Sequence, residues 1–328
     1  MQRWTVDLSG DSWREDRQAD AVCKALLDGG LVAVPTETVY GLAADATNPL
    51  ACAKIFSAKG RPQFNPLISH VASTAVARQH GDFNADATKL AEAFWPGPLT
   101  LVVRKKPSSP ICDLATAGLD TVALRVPAGP VMRFLSEKAA VPLAAPSANI
   151  SGRVSTTSAD DVAADLSDAL SYLVDAGPCR VGIESTIVSC VDETPRLLRP
   201  GGIPREDIER VLGRPLERPA DAPTPAAPGM LSSHYAPKAR VRLHASDVRP
   251  GEALLSFGPH ALPGAGRAVS EVNLSRTGDL PEAATRLFSA LRALDATGAD
   301  TICVQDVPDL GLGEAINDRL RRAAAPRS

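Results

Sequence analysis

Hydrophobic residues near the start of the chain recur at helical spacing. Five apolar residues fall at i, i+3, i+4, i+7 and i+8, a pattern that predicts a helix with one buried face. They are Ala19, Val22, Cys23, Leu26 and Leu27. The Gly29-Gly30 pair ends this helix, and the apolar run at 31–34 predicts a short buried strand.

A second helix is marked at both ends by local signals. Asn48 suits a helix cap, Pro49 suits the first helical position, and Gly60 suits the residue that ends the helix. Ile55 and Phe56 then point inward from it.

Strand-like and helix-like patterns alternate through the rest of the first 213 residues. Apolar runs predict strands at 99–103, 121–126, 142–145, 171–176 and 184–191. Helical stripes lie at 87–94 and 158–166. This alternation predicts an α/β fold.

The chain divides at a proline-rich stretch. Residues 214–238 contain six prolines and almost no apolar periodicity, which is typical of a semi-rigid extended linker. Beyond it, strand patterns at 241–244, 252–257 and 301–307 and helical patterns at 284–294 and 313–325 predict a second, smaller α/β domain. The expected layout is a domain over 1–213, a linker over 214–238 and a domain over 239–328.

Composition narrows the class of protein. The chain has 328 residues, 44% hydrophobic and 22% charged, as expected for a globular protein of about two domains. Its net charge of −3 excludes a uniformly basic nucleic-acid coat. We expect no membrane helix and no signal peptide, because no run approaches ~18 apolar residues and the start lacks a basic, then apolar, segment. Six scattered cysteines without a C-x-x-C pair predict reduced thiols and a cytoplasmic location.

The common nucleotide and metal motifs are absent from the sequence. It has no G-x-x-x-x-G-K-[ST], no G-x-G-x-x-G after a strand, no H-E-x-x-H and no G-x-S-x-G. Its histidines and cysteines show no zinc spacing.

Two stretches lack acidic residues and concentrate positive charge. No acid occurs between residues 45 and 82 or between 92 and 113, while the two stretches carry four and three basic residues. Arg125 lies on a predicted buried strand, where a charged residue is unusual unless it has a partner or a ligand. Phosphate groups are the usual ligands of such potential, although a solvated surface is an equal alternative.

The Lys59-Gly60-Arg61 tripeptide sharpens the charge argument. Lysine and arginine on either side of a glycine hinge can bracket adjacent phosphates. Lys59 alone could instead complement the helix dipole, but that explanation does not reach Arg61.

Two polar loops follow predicted strands, where α/β sheets often bind ligands. The segment at 35–45 (PTETVYGLAAD) supplies Thr38 and other hydroxyls with one carboxylate, and the segment at 146–149 (PSAN) supplies Ser147 and Asn149. Each could equally be a turn whose polar groups are internally satisfied.

Taken together, these motifs resemble the YrdC-type L-threonylcarbamoyl-AMP synthases. The resemblance rests on PTETVYGL, the K-x-R with NPL just after it, the S-x-N, GIESTIV at 182–188 and LLRPGGI at 197–203. APGMLSSHYAPK at 227–238 and the terminal GLGEAINDRL resemble the longer, two-domain form.

The resemblance implies a fold and a reaction. The fold is an open twisted YrdC-like sheet with a large basic cavity, followed by a smaller Rossmann-like α/β domain. The reaction condenses L-threonine, bicarbonate and ATP into threonylcarbamoyl-AMP with release of pyrophosphate, with Mg²⁺ as cofactor. A separate transferase complex then modifies tRNA beside the anticodon, so that direct contact with tRNA is possible but not required.

The resemblance also assigns residues, with Lys59 and Arg61 as the catalytic pair. It places ATP on Lys59, Arg61, Asn65, Thr121, Ser147, Asn149, Ser155, Arg199, His234 and Tyr235. It places L-threonine near Thr38, His70, Arg125, Ala145 and Ser185. Ala145 departs from the Ser or Thr of many relatives, which puts one hydrogen bond to threonine in doubt. Metal ligands stay unassigned.

A mixed anhydride such as threonylcarbamoyl-AMP hydrolyses readily, so water has to be excluded from its site. We expect the linker to close over the cavity as a lid through Ser232, Ser233, His234 and Tyr235, with a plain spacer as the alternative.

Three rival functions stay open from the sequence. The first is an RNA-binding module, and the second is carbamoyl transfer in hydrogenase maturation, whose larger proteins carry zinc modules that this sequence lacks. The third is a purely structural role for the smaller domain.

Overall fold

The computed structural model describes residues 1–217 and 234–326. Within them lie fifteen strands. They are β1 (Gln2–Thr5), β2 (Val32–Val34), β3 (Gly41–Asp45), β4 (Ile68–His70), β5 (Gly81–Asp82), β6 (Leu99–Lys105), β7 (Thr121–Arg125), β8 (Leu143–Ala144), β9 (Tyr172–Asp175), β10 (Thr186–Ser189), β11 (Arg196–Arg199), β12 (Arg240–Arg242), β13 (Glu252–Ser256), β14 (Glu271–Asn273) and β15 (Thr301–Val304).

Ten α-helices lie in the same residues. They are α1 (Arg17–Leu27), α2 (Pro49–Lys59), α3 (Thr74–His80), α4 (Ala85–Phe94), α5 (Asp113–Thr116), α6 (Pro130–Ala139), α7 (Ala159–Leu166), α8 (Arg205–Leu212), α9 (Leu280–Asp295) and α10 (Leu312–Ala324). Among the described residues, none of these helices has the length and apolar character needed to traverse a bilayer.

The first eleven strands form one mixed sheet. Its order is β1-β9-β2-β3-β8-β4-β7-β6-β10-β11, with β5 paired to β6. Helices α1 and α6 pack on one face around Leu26, Met132 and Leu135. Helices α2 and α4 pack on the other face, around Ile55 and Leu90. This arrangement confirms the predicted α/β class.

The last four strands form a separate parallel sheet in the order β12-β15-β13-β14. Its hydrophobic core contains Leu287 and Leu291 from α9 and Ile316 and Leu320 from α10. The parallel sheet with its helices confirms the predicted Rossmann-like second unit.

The local signals around α2 are confirmed. The Asn48 side chain accepts hydrogen bonds from the backbone N–H groups of Leu50 and Ala51, and Gly60 ends the helix in the left-handed region at φ +59°. Local signals thus fix where Lys59 and Arg61 leave the helix.

Several predictions were wrong or incomplete. Residues 41–45 were expected in a loop but form β3, because all five are buried and the strand pairs with β2 and β8. Among the other elements that the sequence patterns missed are β1, β5, β11, β14, α3, α5, α6 and α8. Strand β1 pairs with β9, about 170 residues further along, and such a partner leaves no local signal.

Helices α9 and α10 of the smaller unit pack directly against the larger unit. Arg292 of α9 pairs with Asp165 of α7 at 2.7 Å, and Arg205 of α8 pairs with Glu314 of α10. Gly182, at φ +77°, approaches the α9 backbone so closely that a Cβ there would overlap Thr285. Most of the predicted linker, at 218–233, lies outside the described residues.

Candidate active site

A cavity opens where β4 and β7 end in the middle of the large sheet. It holds about 530 Å³ of empty space when its open mouth is included. His70 and Arg125 are register partners on these two parallel strands and both face it. Parallel strand ends are where α/β sheets usually bind ligands.

Arg125 is held by three neighbours at the cavity wall. Its Nε donates to Gly97 O at 3.2 Å, its Nη1 to Thr38 Oγ1 at 3.0 Å and its Nη2 to Glu37 Oε1 at 2.6 Å. Burial alone would raise the pKa of Glu37, but the Arg125 charge and the N–H of Gly129 hold it below its usual value. The guanidinium has five N–H groups, and three of them bond to these neighbours. The other two have no acceptor among the described residues and remain for a ligand.

The Thr38 hydroxyl is oriented by its neighbours. Thr36 Oγ1 donates to Val39 O at 2.7 Å and lies 2.8 Å from Thr38 Oγ1. Because the Thr36 proton is used by Val39, Thr38 donates to Thr36 and accepts from Arg125. A lone pair of Thr38 is left for a donor group in the cavity.

Lys59 and Arg61 are buried beside the cavity and bonded to main-chain carbonyls. Lys59 Nζ donates to Ser147 O at 2.6 Å and to Asn149 O. Arg61 donates to the carbonyl of Asn65 at 3.3 Å and to that of Pro66 at 3.0 Å. In the described part of the chain neither cation pairs with a carboxylate.

Burial perturbs the pKa values of both cations. Burial, and then the neighbouring Arg61 charge, lower the pKa of Lys59 well below its usual value. Burial and the Arg199 charge lower the pKa of Arg61 to about 10. Keeping a positive charge on either side chain therefore costs free energy, and a bound anion would relieve that cost.

Arg199 ends β11 and is in direct contact with Ser185. Its Nη2 lies 2.9 Å from Ser185 O and 3.1 Å from Ser185 Oγ, which also lies 2.8 Å from Thr100 Oγ1. Arg199 and Ser185, assigned by resemblance to the two different substrates, thus share one wall. Gly201 allows this approach, because a Cβ there would overlap the main chain of residues 184–186.

Glu184 is a carboxylate that lines the cavity. Its Oε1 accepts from Ser155 Oγ at 2.6 Å and its Oε2 from Arg319 Nε at 3.1 Å. Burial would raise the pKa of Glu184, but the charges of Arg319 and Arg199 and the Ser155 hydroxyl hold it below its usual value.

Several buried polar atoms at the site have no partner among the described residues. They are Asn65 Oδ1 and Nδ2, His70 Nδ1, Asn149 Oδ1 and His234 Nδ1. Burial and the Arg125 charge lower the pKa of His70 to about 3, so its ring is neutral at pH 7. Burial and four neighbouring cations lower the pKa of His234 well below its usual value. Orphaned polar atoms of this kind are found where a ligand or ordered water completes the hydrogen bonds.

The C-terminal end of the predicted linker reaches the cavity. Tyr235 is fully buried with φ +63°, a strained conformation for a residue with a Cβ. It is held by stacking on Phe288 of α9 at 5.5 Å between ring centroids. His234 lies against it, and Ser232 and Ser233 lie outside the described residues.

The structure brings ten of the fifteen sequence-predicted site residues to the cavity. They are Thr38, Arg61, His70, Arg125, Ala145, Ser147, Ser185, Arg199, His234 and Tyr235. Three others, Lys59, Asn65 and Ser155, hydrogen-bond to lining residues. Asn149 lies one step further back, where its carbonyl accepts from Lys59. Ala145 brings a methyl group to the wall of the cavity.

Thr121 is the one predicted residue that the structure does not bring to the cavity. It begins β7 and pairs with Arg104, four residues from Arg125. At ~3.3 Å per residue the two positions lie about 13 Å apart along the strand, although their side chains share one face.

Sequence reasoning missed two acidic residues and one basic residue of the site. Glu37 was noted in its loop, but its pairing with Arg125 was not predicted. Glu184 stood inside the GIESTIV motif without an assigned role. Arg319 lies in α10, where a helical pattern gives no sign of a contact with the first domain.

No resident metal site is evident in the part of the chain that the structure describes. It contains no group of three or more His, Cys, Asp or Glu side chains that could hold an ion. The carboxylates nearest the cavity, Glu37 and Glu184, are both engaged by arginines.

The fold and the site define a two-domain α/β protein with a cation-lined cavity. The Sua5/YciO/YrdC family model, described as "Telomere recombination", matches residues 24–201. The model for the "Threonylcarbamoyl-AMP synthase, C-terminal domain" matches residues 203–325. The chain therefore belongs to the threonylcarbamoyl-AMP synthase family, in the form that has both domains.

Curated relatives and solved structures agree. The threonylcarbamoyl-AMP synthase of Bacillus subtilis is 38% identical, covering 99% of this chain and 98% of the relative. That of Pyrococcus abyssi is 42% identical over 92% of each chain. The crystal structure of P. abyssi Sua5 complexed with L-threonine matches with a TM-score of 0.88 at 37% identity, covering 99% and 98% of the two chains. The predicted enzyme class is confirmed.

A more distant structure supports the fold alone. Escherichia coli YciO matches with a TM-score of 0.54 at 17% identity, covering 61% of this chain and 94% of that chain. The expected YrdC-like fold of the larger domain is thereby confirmed.

Proposed function

We propose that this enzyme makes L-threonylcarbamoyl-AMP from L-threonine, bicarbonate and ATP, with release of pyrophosphate and water. One observation carries the proposal: Lys59 and Arg61 are buried beside the cavity and, among the described residues, pair with no carboxylate. A buried cation without a counter-ion is costly, so such a pair favours an anionic ligand. A triphosphate supplies that charge.

The nucleotide is proposed to lie along Arg61 and Arg199. The two guanidinium groups are close enough for the Arg199 charge to lower the pKa of Arg61. The unpartnered amide of Asn65 and the unpartnered Nδ1 of His234 offer further hydrogen bonds to it. Lys59 then acts from behind the wall, by holding the carbonyls of the Ser147 loop and adding positive potential.

L-Threonine is proposed to bind at the Arg125 end of the cavity. The two remaining N–H groups of Arg125 suit the substrate's carboxylate, and the Thr38 lone pair suits its ammonium or hydroxyl group. His70, neutral at pH 7, offers an additional polar contact without adding charge. The P. abyssi relative crystallised with L-threonine supports this substrate class for the family member described here.

The proposed reaction joins these two sites. The threonine amine and bicarbonate give a carbamate and water, and a carbamate oxygen then attacks the α-phosphorus of ATP. A new P–O bond forms while the bond to the β-phosphate oxygen breaks, and pyrophosphate leaves. Two anions must meet, so fixed cations such as Arg61 and Arg199 lower the barrier by neutralising charge, and positioning supplies much of the remaining rate.

Mg²⁺ is proposed to enter with ATP rather than to occupy a resident site. The donor set in the described residues fits this reading, since the carboxylates at the cavity already have arginine partners. Mg²⁺ is commonly held mainly by substrate phosphates and water. When bound, it would neutralise phosphate charge.

The product is proposed to serve tRNA modification beside the anticodon through a separate transferase complex. Direct tRNA contact is not needed for this hand-over. A cytoplasmic location follows from the proposed substrates and partner.

The linker over 214–238 is proposed to exclude water from the reactive product. The burial of His234 and Tyr235 at the cavity supports this role. Limited proteolysis tests it: ATP with threonine should protect the linker, and unchanged cleavage would contradict the proposal.

The central test is pyrophosphate release from ATP. We expect release that requires both threonine and bicarbonate, and loss of release in Lys59→Met and Arg61→Met. Arg104→Gln removes an exposed cation from an acid-poor stretch and should keep wild-type turnover. Binding of duplex RNA with a steep salt dependence and no pyrophosphate release would favour the RNA-binding alternative instead.

A further inference from the structure

The second domain sends one arginine into the wall of the cavity. Arg319 lies in the middle of α10 and is completely buried. Burying a guanidinium is expensive unless its hydrogen bonds are met, so the contacts of this residue point to its role.

Arg319 fixes the cavity carboxylate from behind. Its Nε donates to Glu184 Oε2 at 3.1 Å, and its Nη1 donates to Pro200 O at 2.7 Å and to Asp318 Oδ2 at 2.9 Å. The other oxygen of Glu184 accepts from Ser155 Oγ at 2.6 Å. One helix of the smaller domain therefore sets the rotamer of Glu184 and, through it, the direction of the Ser155 hydroxyl.

Arg319 also supports the residues at the linker's end. Its Cζ lies 5.3 Å from the centroid of the Tyr235 ring, a cation–π distance. The neighbouring His234 N–H donates to the carbonyl of Arg322, one turn further along α10, at 3.3 Å.

The charge balance of the cavity depends on the same residue. Without Arg319, the buried carboxylate of Glu184 would face the phosphates and repel them, or would take Arg199 as its counter-ion. In either case the positive potential available to a nucleotide would fall. With Arg319 present, Glu184 has its own partner.

One donor of Arg319 has no acceptor among the described residues. Its Nη2 is buried and makes no hydrogen bond to them. Such atoms are rare in folded proteins and usually meet a ligand or an ordered water.

We propose that Arg319 is a positioning residue of the nucleotide site, contributed by the second domain. By pairing with Glu184 it orients Ser155 and keeps Glu184 from competing with ATP for Arg199. The smaller domain thus has a part in nucleotide binding. This inference rests on the proposed function.

The test compares Arg319→Met and Arg319→Lys with Glu314→Gln in the full-length chain. Glu314→Gln is the matched control, because it breaks the other ion pair between α10 and the larger domain, with Arg205, away from the cavity. Steady-state pyrophosphate release against ATP and against threonine gives the two KM values, thermal melting reports folding, and calorimetry reports ATP binding.

We expect Arg319→Met to raise the KM for ATP about tenfold or more and the KM for threonine less than twofold, since a charge-assisted network is lost only on the nucleotide side. Arg319→Lys, which keeps the charge, should fall between it and the wild type. Glu314→Gln should keep both KM values. A KM for ATP in Arg319→Met equal to that in Glu314→Gln would overturn the proposal.

Two further outcomes are decisive. If Arg319→Met does not fold, a folded Arg319→Lys with a wild-type KM for ATP overturns the proposal, and a raised one supports it. If the wild type releases no pyrophosphate, the proposed function is wrong. The inference about Arg319 is then judged by calorimetry alone. Equal ATP affinities of wild type and Arg319→Lys would overturn it, and unequal affinities would support it.

Discussion

Replacing Arg61 by methionine tests whether this buried cation is held for a ligand or for the fold. The substitution keeps most of the side-chain volume and removes the charge. Arg61 has no carboxylate partner among the described residues, so its removal leaves no opposite charge stranded. The comparison variant is Arg125→Met, which would strand the buried Glu37.

The magnitudes follow from burial. Burial and Arg199 lower the pKa of Arg61 to about 10, and at ~1.4 kcal/mol per pKa unit this corresponds to roughly 3 kcal/mol of lost stability. Both folded and unfolded chains are protonated at pH 7, so the cost is fully present there and fades only above pH 10. Arg61→Met removes this cost, but it also removes two hydrogen bonds to carbonyls. At about 1–1.5 kcal/mol each, their loss offsets most of the stability gained.

We therefore expect the free energy of unfolding of Arg61→Met to stay within about 2 kcal/mol of the wild type. Arg125→Met should lose about 3–5 kcal/mol, as expected when one partner of a buried ion pair is removed. Differential scanning fluorimetry without ligand gives the order of stability. With ATP at 100 times its Kd, the wild type should gain about 2.7 kcal/mol and about 5–10 °C, and Arg61→Met should gain nothing.

Two results would refute this reasoning. Equal destabilisation by Arg61→Met and Arg125→Met would make Arg61 a structural cation. An unchanged ATP-induced shift in Arg61→Met would remove it from the nucleotide site.

Three further predictions concern acid stability, backbone packing and thiol reactivity. Because the folded-state pKa of Glu37 is lowered, its ionised form stabilises the fold above pH ~4.3, and this stabilisation is lost as the pH falls through the folded-state pKa. In thermal melts from pH 7 to 3, Glu37→Gln should therefore lose less stability on acidification than the wild type, and identical profiles would contradict this. Gly201→Ala should destabilise by several kcal/mol and abolish turnover, since a Cβ would overlap the main chain of residues 184–186; a wild-type melting temperature would contradict the close approach. Cys112 is partly exposed while the other five cysteines are buried, and its contact with the Cys52 thiol lowers its pKa. Mass spectrometry after brief iodoacetamide treatment at pH 7 should therefore find Cys112 modified first, and prior labelling of a buried cysteine would contradict this.

Local signals in the sequence predicted the elements that position Lys59, Arg61 and Arg125, but not β11, which carries Arg199. The cap at Asn48 and the break at Gly60 set the ends of α2, and those ends determine where Lys59 and Arg61 emerge. Short-range chemistry of this kind is readable because each signal acts within a few residues. The strand run that carries Arg125 was predicted for the same reason.

Contacts between distant segments could not be predicted. A charge count located the basic stretches, but it could not show that Lys59 would be capped by carbonyls of a loop some 90 residues away. Strand β3 was missed because its burial comes from partners on both sides, and Arg319 was missed because α10 has an ordinary amphipathic pattern. The polar loop around Thr38 was identified, but the fixed direction of its hydroxyl depends on Arg125, 87 residues further on.

The pairing of Glu184 with Arg319 has a consequence for how the enzyme folds during its synthesis on the ribosome. The two residues are 135 positions apart, and at ~5–20 residues per second about 7–27 s separate their synthesis. Strands β1 to β11 can associate during that interval, but the Glu184 carboxylate lacks its counter-ion until α10 has been synthesised. A nascent chain stalled before α10 would hold a nearly complete sheet while Glu184 still lacked its partner, so the wall of the cavity is completed only when the last helix folds.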